Sequence, residues 1–183
     1  QMSETCIDFA VSEITKSRAM LSPVLANKEV YELIKNGVQV SYKNALGVDE
    51  NDYVKVLDFG CPKANEFLLV SHLSIEYQLA ENITRRPLLL LYVNGLPLVM
   101  IELKNATEKV KTGYDKNLAD YKRDIPQLFW FNLFVRVSNG IQTRIGSFNA
   151  GWGHFFTWLK LQDTSITHDQ PTKDEIEAES ERT

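Results

Sequence analysis

The stretch VMIELK (99–104) ends with a carboxylate, Glu102, and an ammonium group, Lys104, two positions apart. Side chains alternate along a β-strand, so the two would share one face. Burying two charged groups at the end of an apolar strand costs free energy, which favours a functional role for them. Mg²⁺ prefers oxygen ligands, which Glu102 and the backbone carbonyl of Leu103 could supply. Lys104 would position the attacking water and stabilise negative charge on a phosphate. The stretch therefore predicts a metal-dependent phosphodiesterase site, and the simpler alternative is a strand end whose two charges are hydrated.

A metal site of this kind normally has a second carboxylate on the neighbouring strand. The Asn94-Gly95 dipeptide predicts a β-hairpin between the apolar runs 88–93 and 96–101. A three-residue loop places Leu88 opposite Glu102, whereas a two-residue loop turns residue 88 to the other face of the sheet. Leucine cannot bind a metal, so the first register leaves the site with one expected carboxylate missing.

The elements that must position this pair follow from hydrophobic periodicity. Helical patterns run from Cys6 to Ile14 and over 109–122. A further helix begins after Asn27, which we expect to be its N-cap. Apolar runs predict strands, including 129–138 and 142–148, and the hairpin strands are apolar on both faces, which places them at the centre of the sheet. The order of these elements favours an α/β fold with a mixed central sheet flanked by helices.

The composition excludes several classes of protein. The longest apolar runs have six residues, far below the roughly 20 needed to span a bilayer. No GxxxxGK[ST] loop is present, so ATP hydrolysis by that chemistry is not expected within this chain. Cys6 and Cys61 show no zinc-site spacing, and a reducing cytoplasm is the expected location.

The net charge of −4 is concentrated at the end of the chain. Residues 163–183 hold seven acidic and two basic residues, which leaves 17 acidic and 18 basic residues in the remainder. We therefore expect one globular domain over 1–162 and an acidic polar tail or linker over 163–183. The nearly neutral body does not indicate nucleic-acid binding by bulk charge, although a local basic patch would suffice.

Several stretches carry a specific resemblance to a known family. They are VKVLDFGCPKANEFLLVSHLSIE (54–76), RRPLLLLYVNGLPLVMIELKNA (85–106), GYDKNLADYKRDIPQLFWFN (113–132), SNGIQTRIGS (138–147) and AGWGHFFTWLK (150–160). Residues 38–161 resemble the N-terminal nuclease domain of the R (restriction) subunit of type I restriction–modification enzymes. This resemblance implies a PD-(D/E)xK endonuclease-like core, Mg²⁺-dependent cleavage of duplex DNA, and assembly with modification and specificity subunits. ATP would serve only the two motor domains, which in such subunits would lie beyond residue 183.

The resemblance also assigns residues. Glu102 and Lys104 match the ExK of the family, and Asn117 and Tyr121 match a Gln-xxx-Tyr helix motif that supports the site and touches DNA. The metal-binding aspartate of the family normally follows Arg-Pro, where this chain has Leu88. Two functions are therefore considered: an active Mg²⁺-dependent endonuclease, and a nuclease-fold docking module for the restriction complex that no longer cuts.

Other charged residues have open roles. An acid from the first helix often completes such sites, and the candidates are Glu4, Asp8 and Glu13. A set of cations near the predicted helix fits either a solvated face or phosphate contacts: Lys109, Lys111, Lys116, Lys122 and Arg123. Arg144 fits either a structural pair or a contact to the DNA backbone.

Overall fold

The computed structural model describes residues 4–77 and 83–158. In chain order its strands are β1 (Val38–Lys43), β2 (Asp49–Val54), β3 (Phe67–Ser71), β4 (Ile75–Glu76), β5 (Thr84–Arg85), β6 (Leu89–Val93), β7 (Leu96–Leu103), β8 (Phe134–Ser138), β9 (Thr143–Gly146) and β10 (Phe156–Thr157). Its helices are α1 (Glu4–Thr15), α2 (Pro23–Asn36), α3 (Val110–Thr112) and α4 (Ala119–Asp124), with a π-helical turn (Gly113–Leu118) between the last two. The expected tail over 163–183 lies outside the described residues.

The main sheet has six strands in the order β10-β9-β8-β7-β6-β3. All neighbours are antiparallel except β7 and β8, which run parallel. A parallel neighbour requires a crossover, and the helical segment 110–124 lies in the connection between β7 and β8. The expected mixed sheet flanked by helices is confirmed, and both hairpin strands, β6 and β7, are interior strands of it.

Two apolar cores cover the two faces of the sheet. One contains Leu90, Met100 and Val137 together with Val110 and Leu118 from the helical segment 110–124. The other contains residues of α2 and the opposite face of the hairpin: Ala26, Val30, Ile34, Leu98 and Val99. The central strands are therefore apolar on both faces because helices cover both.

A β-bulge in β7 decides which core Glu102 joins. The hairpin closes with a two-residue loop, since Val93 pairs with Leu96, but the register shifts beyond Leu91/Tyr92, so that Leu89 pairs with Ile101. Leu98 is the extra residue, and Leu98 and Val99 both pack in the α2 core. Because the bulge reverses the alternation, Met100 and Glu102 face the helical segment 110–124 instead of α2.

Two local predictions are wrong. The second helix begins at Pro23, where the Ser22 side chain accepts a hydrogen bond from the Leu25 N–H. Asn27 instead lies within that helix and donates to the carbonyls of Phe129 and Asn132, both at 2.8 Å. The strand predicted over 129–138 covers only 134–138, since Pro126–Trp130 forms a 3₁₀ helix that contacts α2.

No helix within the described ranges is long and apolar enough to cross a membrane.

Candidate active site

Glu102 and Lys104 lie at the end of β7, the central strand that faces the helical segment 110–124. Glu102 is 4% exposed, and the Lys104 Nζ lies 3.5 Å from its Oε1. The backbone N–H of Lys104 donates to the Ser138 carbonyl at 2.7 Å, which continues the parallel pairing with β8 one residue past the strand. Both side chains are thus held on rigid backbone, and the alternative of a hydrated strand end does not apply to the buried carboxylate.

Asn117 and Tyr121 complete a closed hydrogen-bond network around this pair. The Asn117 Nδ2 donates to Glu102 Oε1 at 2.6 Å, and its Oδ1 accepts from Lys104 Nζ at 2.9 Å. The Tyr121 hydroxyl donates to Glu102 Oε2 at 3.3 Å. Asn117 lies in the π-helical turn and Tyr121 in α4, four residues apart and therefore on one helix face. The four residues that the sequence grouped by motif do meet in space.

Leu88 lies next to Glu102, immediately before β6. Its carbonyl accepts a hydrogen bond from the His72 N–H at 3.0 Å, and its backbone makes a small contribution that lowers the pKa of Glu102. Extending the register of Leu89 with Ile101 by one step places residue 88 opposite Glu102. The neighbouring strand therefore offers a half-buried leucine side chain where a second carboxylate would be needed.

Burial dominates the acid–base properties of this network. Burial raises the pKa of Glu102 above its usual value, although the nearby Lys104 charge and the hydrogen bonds to it oppose this shift. Burial, followed by the Glu102 charge, raises the pKa of Tyr121 to about 12. Tyr121 therefore stays a neutral hydrogen-bond donor throughout the physiological range.

Replacing Glu102 by Gln should make the stability of the protein less dependent on pH. Between the ordinary glutamate value of 4.5 and the raised pKa of Glu102, the native state binds more protons than the unfolded state. The free energy of unfolding of the wild type therefore falls as pH rises through this window. Urea denaturation at a series of pH values should show the difference, variant minus wild type, rising through the window and then levelling. A difference that falls with pH would contradict the assigned direction of the shift.

The residues present fit only an incomplete magnesium site. Among the described residues, no group of three or more His, Cys, Asp or Glu side chains is placed to hold a metal. Glu102 already receives hydrogen bonds from Asn117 and Tyr121, one on each carboxylate oxygen, and its charge faces Lys104. A carboxylate has about four lone-pair sites, and these donors occupy part of them, which reduces what Glu102 can offer a cation. Mg²⁺ demands near-octahedral oxygen coordination, and one occupied carboxylate provides little of it.

Gly113 sets the distance between the helical segment 110–124 and the sheet. A Cβ atom there would lie 2.7 Å from Val137 Cγ1, 3.4 Å from Glu102 Cγ and 3.5 Å from Lys104 Cε. Val137 is fully buried on the neighbouring strand and has no room to retreat. The glycine therefore allows the approach that brings Asn117 to the charged pair, a role that motif spacing did not reveal.

Gly113→Ala should destabilise the protein by up to about 2 kcal/mol. Overpacking a core lowers the free energy of unfolding by about 1–3 kcal/mol, and the better helix propensity of alanine offsets about 1 kcal/mol of this loss. In a Val137→Ala background the contact disappears, so the same change should be neutral or stabilising. Urea unfolding of the four proteins measures this cycle. An equal loss in both backgrounds would show that contact with Val137 is not the cause.

An ion pair outside the network holds the helical segment 110–124 against the strand leading to Leu88. Arg85 Nε donates to Asp124 Oδ2 at 2.7 Å, and Arg123 Nε donates to Asp124 Oδ1 at 2.8 Å. The hydrogen bond from Arg123, followed by that from Arg85, keeps the pKa of Asp124 below its usual value. Asp124 is only 2% exposed, so this ion pair is largely shielded from solvent on the carboxylate side.

Most of the other candidate cations are occupied within the protein. Lys111 pairs with Asp115 at 3.8 Å, and Lys122 lies 5.6 Å from the Tyr114 ring centroid. Arg144 donates to the Phe155 carbonyl at 3.2 Å and stacks on Trp152, which favours the structural role for this residue. The first-helix acids make no hydrogen bond or ion pair with Glu102 or Lys104. Of these acids, Glu13 pairs with Lys16 at 2.8 Å.

Comparison with known proteins agrees with the motifs. The family model for the N terminus of type I restriction enzyme R proteins matches residues 3–154. The putative type I restriction enzyme MjaIXP endonuclease subunit of Methanocaldococcus jannaschii is 32% identical over 136 residues, 73% of this chain and 13% of that protein. The HindI endonuclease subunit of Haemophilus influenzae is 32% identical over 165 residues, 89% of this chain and 15% of that protein.

A third relative extends the same pattern. The SsaAORF53P endonuclease subunit of Staphylococcus saprophyticus is 30% identical over 125 residues, 64% of this chain and 13% of that protein. The chain thus spans 13% to 15% of the length of these curated relatives. With the family model covering most of its length, this chain belongs to the family of N-terminal regions of type I restriction enzyme R proteins, the endonuclease subunits.

Proposed function

We propose that this chain is the DNA-cleaving region of a type I restriction endonuclease subunit, and that Leu88 leaves its catalytic site impaired. The substrate is duplex DNA, and the reaction is hydrolysis of a phosphodiester bond. The observation that carries the proposal is the convergence of Glu102 and Lys104 on Asn117 and Tyr121 at the end of a central strand. Fold and motif together favour a PD-(D/E)xK core.

Each residue of the network has a role that its geometry supports. The Lys104 ammonium stabilises negative charge that develops on the phosphate and orients the attacking water. Asn117 donates to the carboxylate and accepts from the ammonium group, so it fixes the two charges relative to each other. Tyr121 holds the second oxygen of Glu102, and with a pKa of about 12 it acts as a donor and not as a base.

Mg²⁺ is the cofactor we propose for the complete site. Bound there, it would supply Lewis-acid stabilisation and a more acidic water. Glu102 and the Leu103 carbonyl would be its protein ligands in this chain. These two ligands form an incomplete set, which is why we expect weak metal binding and slow cleavage.

The partners we propose follow from the family. A type I restriction enzyme subunit acts in a multi-subunit complex with DNA, and we propose the modification and specificity subunits as the other components. The DNA target would be chosen by the specificity subunit, and ATP would be used by motor domains outside this chain.

A second candidate function is a nuclease-fold docking module that no longer cuts. The observation favouring it is that Leu88 stands opposite a carboxylate whose oxygens are already engaged by donors within the protein. In that case the network would contribute to the stability of the region without catalysing a reaction.

Nicking of supercoiled plasmid by the assembled enzyme separates the two functions. An impaired nuclease nicks slowly in Mg²⁺, stops in EDTA and speeds up when residue 88 becomes a carboxylate. A docking module nicks in neither buffer, and it stays inactive after that substitution.

A further inference from the structure

A cleft of about 770 Å³ opens directly onto the proposed catalytic network. Asn117 and Tyr121, whose polar groups bind Glu102, form part of its wall. Arg86 and Lys116 line the same cleft from the two sides, the first on the approach to β6 and the second on the π-helical turn. A group bound there would therefore lie beside Asn117 and Tyr121, the two side chains that bind the buried carboxylate, and near two cations.

Arg86 and Lys116 differ from the neighbouring cations because their charges are not used by the fold. Both are exposed, and no carboxylate in the described part of the chain pairs with either. Arg85 lines the cleft as well, but Asp124 engages its guanidinium. The two adjacent arginines therefore differ in role: Arg85 binds Asp124 of α4, and Arg86 is available to bind a ligand.

Two carboxylates that line the cleft reduce its net positive charge to different extents. Asp120 lines it but pairs with Arg123 at 2.8 Å. Glu76 is exposed, and its carboxylate accepts a hydrogen bond from the Thr84 hydroxyl at 3.1 Å. Among the described residues no cation pairs with this carboxylate, which lines the cleft with its charge unpaired. An anion in the cleft would gain from Arg86 and Lys116 and would be weakly repelled by Glu76.

From this arrangement we infer that Arg86 and Lys116 form a phosphate clamp that seats the DNA backbone against the catalytic network. The inference rests on the proposed function and adds the residues that hold the substrate. Arginine binds phosphate oxygens through two parallel N–H donors, and lysine binds them as a point charge. Two such contacts position the backbone without reading base sequence, which matches a subunit whose target is chosen elsewhere.

The test measures binding of a short labelled DNA duplex by fluorescence anisotropy in EDTA, over a series of salt concentrations. Arg86→Ala and Lys116→Ala should each weaken binding roughly tenfold at 0.1 M salt and lower the slope of log K against log salt by about one. Glu76→Gln should tighten binding. Lys111→Ala is the matched control, because Lys111 lies in the same helical segment, outside the cleft, and pairs with Asp115.

The outcomes separate this inference from the proposed function. If the wild type binds duplex but Arg86→Ala and Lys116→Ala behave like Lys111→Ala, the clamp is wrong and DNA binding stands. If the wild type does not bind duplex even at low salt, the clamp and the proposed substrate both fail. If a free deoxynucleoside monophosphate displaces the duplex at equal phosphate concentration, the cleft binds isolated phosphates, and the DNA clamp is overturned. Unchanged urea midpoints exclude misfolding of the variants as the cause.

Discussion

Leu88→Asp should raise Mg²⁺-dependent cleavage by the assembled enzyme by roughly two orders of magnitude or more. Residue 88 lies opposite Glu102 in the hairpin register, so the new carboxylate would face the cation together with Glu102. Metal catalysis supplies several kcal/mol of charge stabilisation, and each ~1.4 kcal/mol is about tenfold in rate. Nicking of supercoiled plasmid measures the rate, and calorimetric titration of the chain with Mg²⁺ should show tighter binding in parallel.

Leu88→Asn is the control for this experiment. It matches aspartate in size and polarity but lacks the negative charge, so it should leave cleavage at the low wild-type rate. Both substitutions place a polar group at a half-buried position and should lower stability, and without metal Leu88→Asp should lower it more because its charge lies opposite that of Glu102. If the wild type cuts as fast as Leu88→Asp, position 88 is not the ligand, and another carboxylate must be sought.

Glu102→Ala or Lys104→Ala, each in the Leu88→Asp background, should reduce cleavage by at least about a hundredfold and leave ATP hydrolysis and translocation intact. Glu102 is the carboxylate that the network already holds. Lys104 is the cation of the network, and it donates a hydrogen bond to Asn117 in the wall of the cleft. The motor activities are proposed to reside outside this chain, so a local change in β7 should not reach them. Plasmid cleavage and ATP turnover, measured on the same preparations, test both halves of the prediction.

Lys111→Ala in the same background is the control, since its charge pairs with Asp115 and does not touch the network. It should retain both activities. Loss of ATP hydrolysis in the Glu102 or Lys104 variant would instead show that this end of β7 is structural. Urea unfolding must accompany the assay, because removing Glu102 leaves the half-buried Lys104 without its carboxylate.

The sequence by itself determined the chemical content of the site and its principal strands. The ExK pair and the Asn94-Gly95 turn are local patterns, the family resemblance adds Asn117 and Tyr121, and the structure brings these residues together. The family was also evident from contiguous stretches, and the family model confirms it. Local patterns of this kind survive in the fold because backbone geometry alone imposes them.

The tertiary structure decided the register and the packing around the pair. Neither simple loop length describes the hairpin: the turn has two residues, and a bulge at Leu98 then returns residue 88 to its place opposite Glu102. The π-helical turn, the close approach at Gly113 and the burial of Asp124 likewise have no local signal. Each depends on contacts between segments distant in sequence. Packing of the helical segment 110–124 against β7 and β8 selects these features, and no local pattern specifies that contact.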